Sequence, residues 1–124
     1  MKALSIKQPW ANMIASGEKT IETRMYSTAY RGELALCSSA LPRIAPAGCV
    51  VAVATLIDCR PMTHADEDAA QCQSEPGRWS WVLAAVRVLP RSVPVTGRLR
   101  VFTLDAETER LVRAQLTPRA VAAA

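Results

Sequence analysis

Ala3-Leu4-Ser5-Ile6-Lys7-Gln8-Pro9-Trp10-Ala11, and then Gly17-Glu18-Lys19-Thr20-Ile21-Glu22-Thr23-Arg24, are the two stretches on which the reading of this chain turns. Ala3 to Ile6 alternates around Ser5 and predicts a short strand. Gln8-Pro9 then opens a helix, because proline fits the first helical position, where its missing N–H would have no partner. Trp10, Met13 and Ile14 fall at i, i+3 and i+4, a spacing that predicts one shared buried face. Gly17 closes the helix in the left-handed position. Thr20 to Arg24 resumes with period two, so Thr20, Glu22 and Arg24 project to one side and Ile21 and Thr23 to the other.

Working outward, Tyr26 to Tyr30 reads as a polar loop and Gly32 to Ser39 as a strand with Leu34, Leu36 and Ser38 on one side. Pro42, Pro46 and Gly48 mark a turn-rich connection. Cys49 to Asp58, with Val and Thr interleaved with Ala, is the strongest strand signal in the chain, and Pro61 ends it. Thr63 to Gln73 predicts a short helix capped by Thr63 or Asp66, its acidic residues Asp66, Glu67 and Asp68 on a solvated face. Trp79 to Leu89 predicts a long strand broken by Pro90 and Pro94, and Leu99 to Leu104 a last one. Asp105 caps a final helix, Ala106 to Leu116, with Leu111 and Val112 as its apolar stripe; Pro118 stops it and the Ala-rich end frays.

Short strands with Pro/Gly turns, not in strict βαβα alternation, predict an α+β fold: a small mixed β-barrel with a helix after the first strand and a C-terminal helix. At 124 residues, half of them apolar, the chain fits one domain with a real core. No internal repeat, G-x-G-x-x-G or P-loop is present, which excludes nucleotide-cofactor binding by those devices. The four cysteines form no C-x-x-C pair and His64 is not spaced as a second ligand, so neither a metal nor a cofactor is expected. The longest apolar stretch, Cys49 to Ile57, is too short to cross a bilayer, and no signal segment is read at the start; a cytoplasmic protein with no membrane partner is the expectation. Lys and Arg outnumber Asp and Glu by 15 to 11, and only Lys2, Lys7 and Lys19 of the basic residues are lysine. Arginine clasps phosphate and stacks on bases, so the balance permits an RNA partner without diagnosing one.

The opening block, with Tyr30-Arg31-Gly32 after it, resembles the ASCH family. Its signature is a G-x-K-x-x-E-x-R element directly after a helix, and Gly17, Lys19, Glu22 and Arg24 match it. Trp81-Val82-Leu83 and Pro94-Val95-Thr96-Gly97 extend the resemblance to Leu104, which implies an ASCH domain over 1–104 followed by a helix and tail over 105–124. The resemblance implies a barrel related to the PUA domain, with a cleft beside the first helix that binds RNA, a nucleoside or a modified nucleotide. It also implies an alternative, a hydrolase in the same cleft: some small members hydrolyse the amide of N4-acetylcytidine, and ribonuclease activity is attributed to others.

The residues themselves support a site at this junction. Lys19, Glu22 and Arg24 place one carboxylate between two cations; the cations suit phosphate, and the carboxylate can accept from an exocyclic amine. A structural ion-pair cluster at the barrel mouth is the competing account. Ser5, Gln8 and Trp10 lie at the strand-to-helix turn, where Trp10 is either a core residue, as its spacing favours, or a stacking platform. Tyr26, Tyr30 and Arg31 make a loop suited to stacking on a splayed base, or to covering the barrel. Ser38, on the face of Leu34 and Leu36, needs a partner or a cleft. Catalysis would fall to Lys19, Glu22 and a downstream acid, best placed at Glu67. The acetylcytidine-hydrolysing members carry a Thr three residues after the Lys, and Glu22 stands there instead, which argues against transferring their mechanism.

Overall fold

Alternation along the strands gives the sheet two buried faces. A computed structural model describes residues 1–116. The elements in order are β1 (Lys2–Ile6), α1 (Trp10–Ser16), β2 (Ile21–Arg24), β3 (Gly32–Ser38) and β4 (Cys49–Pro61). A single 3-10 turn, His64–Asp66, then runs into α2 (Glu67–Ala70), before β5 (Trp79–Pro94), β6 (Val101–Thr103) and α3 (Ala106–Leu116). Leu4 and Ile6, Leu34 and Leu36, and Ala52, Ala54 and Leu56 turn to one face, where Ala11 and Ile14 of α1 and Trp81 of β5 complete a core. The interleaved Ala3, Ala35, Cys37, Val50 and Val53 turn to the other, against Leu89, Phe102 and Val112 of α3. Each fully buried aliphatic side chain of this kind contributes about 1.5–3 kcal/mol.

The six strands form one sheet in the order β2-β5-β4-β3-β1-β6. β1 runs parallel to β3, and the other pairs are antiparallel. β2 and β6 are its two ends and do not pair with each other, so the expected barrel is an open, curled sheet rather than a closed one. Long β4 and β5 serve both cores, and their ladder is interrupted at Val50/Ala52, Val53/Thr55 and Leu56/Asp58. Such bulges bend a strand and increase its twist.

Several expectations need correcting. Pro9 is the N-cap of α1, not its first helical residue. Trp10 is 42% exposed; the buried face is Ala11 and Ile14, because a helix of seven residues turns only part of its surface to the sheet. Pro90 does not break β5: the ladder jumps from Ala52 opposite Val88 to Val50 opposite Val93, so proline sits where no N–H is wanted. Leu111 is exposed, and α3 buries Thr108 and Val112 instead. Asp66 is not on a solvated face: it is buried, accepting from Arg60, the Ser80 hydroxyl and the Thr63 N–H. Asp105 does cap α3, its Oδ1 accepting from the Thr108 N–H at 2.7 Å. The expected stop at Pro118 and the frayed end lie outside the described residues.

Candidate functional site: a cationic cleft at the helix-to-strand junction

Gly17, at φ +89°, reverses the chain after α1, a conformation that costs glycine nothing. The junction is then tied down on three sides. The Lys19 N–H donates to Met13 O at 3.1 Å, the Thr20 N–H to Ala69 O at 2.9 Å, and Thr20 O accepts from the Leu83 N–H at 3.0 Å. Lys19 is thereby held inside, 2% exposed, with its Nζ donating to Ala70 O and standing 3.6 Å from Glu22 Oε1. β2 pairs with β5, which sets Glu22 opposite Trp81 and Arg24 opposite Trp79.

Glu22, 7% exposed, is the hub of the cluster. Its Oε1 accepts from the Thr23 N–H at 3.1 Å and its Oε2 from Arg24 Nη2 at 3.0 Å. The same Nη2 donates to Ser5 O at 2.8 Å, which links β2 to β1. Arg24 Nε is buried and has no hydrogen-bond partner among the described residues. Burial pushes the Lys19 ammonium below the ordinary lysine range, against the opposing pull of Glu22.

This cluster forms one side of a cleft of about 510 Å3. Ser5, Trp10, Lys19, Glu22 and Arg24 all line it, as expected, together with Lys7, Cys72, Arg78, Arg98 and Arg100. Six cations and one carboxylate therefore face a single concavity. Trp10, Met25 and Leu99 add large exposed apolar side chains to its lining.

The remaining candidates lie elsewhere. Gln8 and Ser38 are buried behind the cleft, where Gln8 Nε2 donates to Ser38 Oγ at 3.0 Å and Gln8 Oε1 accepts from the Asn12 N–H. They satisfy each other and brace the start of α1. Tyr26 packs edge-on against Trp81 at 5.6 Å, and Tyr30 donates to Glu33 O; both cover the first core. Arg31 bonds to Thr28 O and Tyr30 O and lies 3.8 Å from Asp58. Glu67 is bound to the Ser74 N–H and His64, away from the cleft lining. Sequence reading misses Lys7, Arg78 and the Arg98-Leu99-Arg100 run, for which the only signal is the arginine excess.

Comparison with known proteins agrees with this architecture. Residues 4–92 match the ASCH domain. Human activating signal cointegrator 1 is 24% identical over 131 residues, covering 84% of this chain and 22% of that protein, so the chain spans about a fifth of its length. The crystal structure of ASCH from Zymomonas mobilis superimposes with a TM-score of 0.70 at 14% identity, covering 91% of this chain and 93% of that one. A variant of the same Zymomonas mobilis protein, with one tyrosine changed to phenylalanine, gives 0.66 at 12% identity, over 91% and 96% of the two chains. At those identities the structural likeness speaks for the fold. With the G-x-K-x-x-E-x-R residues gathered on one cleft and most of the chain matched, this protein belongs to the ASCH domain family.

Proposed function

We propose that the cleft binds single-stranded RNA or a modified nucleotide, with Lys19, Glu22 and Arg24 at its base. The observation that carries this is the unbalanced charge of the lining: Lys7, Arg98 and Arg100 face the cleft with no carboxylate partner among the described residues. Like charges held around one concavity repel, and an anionic ligand relieves that repulsion. Arg24 meets phosphate, which every nucleotide carries. Glu22 Oε2 keeps acceptor capacity for a base amine, which differs among nucleotides. Fluorescence anisotropy with a single-stranded RNA oligomer tests the reading. Affinity should fall steeply with added salt; Arg24→Ala should weaken all sequences alike, whereas Glu22→Gln should change base preference more than affinity. Weak binding indifferent to salt would overturn it.

One observation favours hydrolysis as a second reading: Lys19, with its depressed pKa, abuts the cleft beside Glu22. A lysine tuned downward can act as a base or nucleophile. On that reading Lys19→Ala abolishes turnover of N4-acetylcytidine and leaves binding of the nucleoside largely intact.

A further inference from the structure

The segment Gly97–Arg100 lies beyond the residues that match the ASCH domain, yet it supplies Arg98, Leu99 and Arg100 to the cleft lining. Its position is built. A Cβ placed on Gly97 would stand 2.6 Å from Ser5 Oγ, so the loop rests directly on β1, the strand whose Ser5 carbonyl holds Arg24. At its other end the Arg100 guanidinium lies 4.2 Å over the Tyr26 ring, which itself packs on buried Trp81. Between these anchors Leu99 is 92% exposed.

Elsewhere the protein neutralises its arginines. Arg31, Arg60, Arg78, Arg87, Arg110 and Arg113 each have a carboxylate within ion-pair distance. Arg98 and Arg100 have none among the described residues, although both line the cleft. An exposed leucine between two unpaired arginines, on a loop anchored at both ends, is the composition of a surface that contacts a chain of alternating apolar and anionic groups.

We infer that Gly97–Arg100 is a second binding element of the cleft, one that takes the sugar-phosphate backbone of a single-stranded RNA on Arg98 and Arg100 and an unstacked base against Leu99. This rests on the proposed function and narrows it: the ligand is an oligonucleotide. A mononucleotide at the Lys19–Arg24 cluster has no second phosphate for the loop. The element therefore adds affinity for length and little for a monomer.

The test compares a short single-stranded RNA with cytidine 5′-monophosphate, across a salt series, for the wild-type protein, Arg98→Ala/Arg100→Ala and Arg43→Ala/Arg91→Ala. The last variant removes equal charge from arginines that do not line the cleft. Losing two phosphate contacts should weaken oligomer binding about tenfold or more and flatten the salt slope by roughly 1.4. Mononucleotide binding and the control variant should shift far less. Arg98→Ala alone, which leaves the Arg100–Tyr26 stacking in place, gives about half that slope change and serves if the double variant fails to fold. Oligomer binding that survives the double variant, or falls equally in the control, overturns this inference and leaves the cleft reading standing. Wild-type protein that binds no oligomer at low salt overturns both.

Discussion

Two buried carboxylates, Glu22 and Asp66, have nearly the same partners and opposite surroundings. Asp66 accepts from Arg60 Nη2 at 2.8 Å, Ser80 Oγ at 2.9 Å and the Thr63 N–H at 3.2 Å. Burial pushes its pKa up, but those bonds together outweigh burial and hold it below the ordinary value of 3.8. Glu22 likewise has an arginine and a backbone N–H, but its third neighbour is the buried Lys19, and the cluster opens onto a cleft. One constellation is closed and complete within the fold. The other gathers charge that the fold alone does not need. The lesson is that an ion-pair cluster is judged by what it faces, not by its composition.

The largest effect that tests this contrast should come from Asp66→Ala. Removal strands the Ser80 hydroxyl, the Thr63 N–H and part of the Arg60 fork, at a cost of about 2–4 kcal/mol. Urea denaturation reads it, and RNA affinity should stay unchanged; a loss of affinity without loss of stability would dissolve the distinction. The pH dependence follows the same group. Its folded pKa is lowered, so its stabilisation is present above 3.8 and is lost as pH falls through the folded value. Asp66→Ala should therefore flatten the acid limb of the stability profile.

Lys19→Met should behave in the opposite way. Lys19 is a base with a lowered folded pKa, so the folded state binds that proton more weakly than the unfolded chain does. Its penalty is fully present below the folded pKa and is relieved as pH rises through that value towards 10.5. Replacing it with an apolar side chain of similar length should leave neutral-pH stability unchanged or raised by about 1 kcal/mol, while ligand binding falls. Destabilisation by several kcal/mol would make Lys19 a structural counterpart of Arg60.

A smaller effect is expected from Gly97→Ala. The added methyl meets Ser5 Oγ and shifts the loop, weakening oligomer binding a few-fold while the melting temperature barely moves. Adding Ser5→Ala removes the clashing oxygen and should recover the loss. Failure of that second change to recover affinity would mean that the loop position is irrelevant to binding.

Local rules carry the sequence reading far where one element decides. The Gly17 cap, the Asp105 cap and the bounds of α3 are legible because each needs only neighbouring residues. Periodicity misplaces Trp10 in the core because it names a helix face without saying how much of it the sheet covers. Pro90 reads as a strand breaker because the bulge that accommodates it depends on the register of β4. Ser38 is recognisable as needing a partner, but only the fold supplies Gln8, thirty positions away.

By itself the sequence determined the family, the strand–helix–strand opening and the charged triplet Lys19, Glu22 and Arg24, because those follow from spacing along one short stretch. Tertiary structure alone decided that the sheet stays open, that Asp66 is buried, that Tyr26 and Tyr30 cover the core, and that Arg78, Arg98 and Arg100 join the cleft. The physical reason is distance along the chain. Strand pairing across dozens of residues brings these groups together, and neither propensity nor periodicity encodes which distant strand becomes a neighbour.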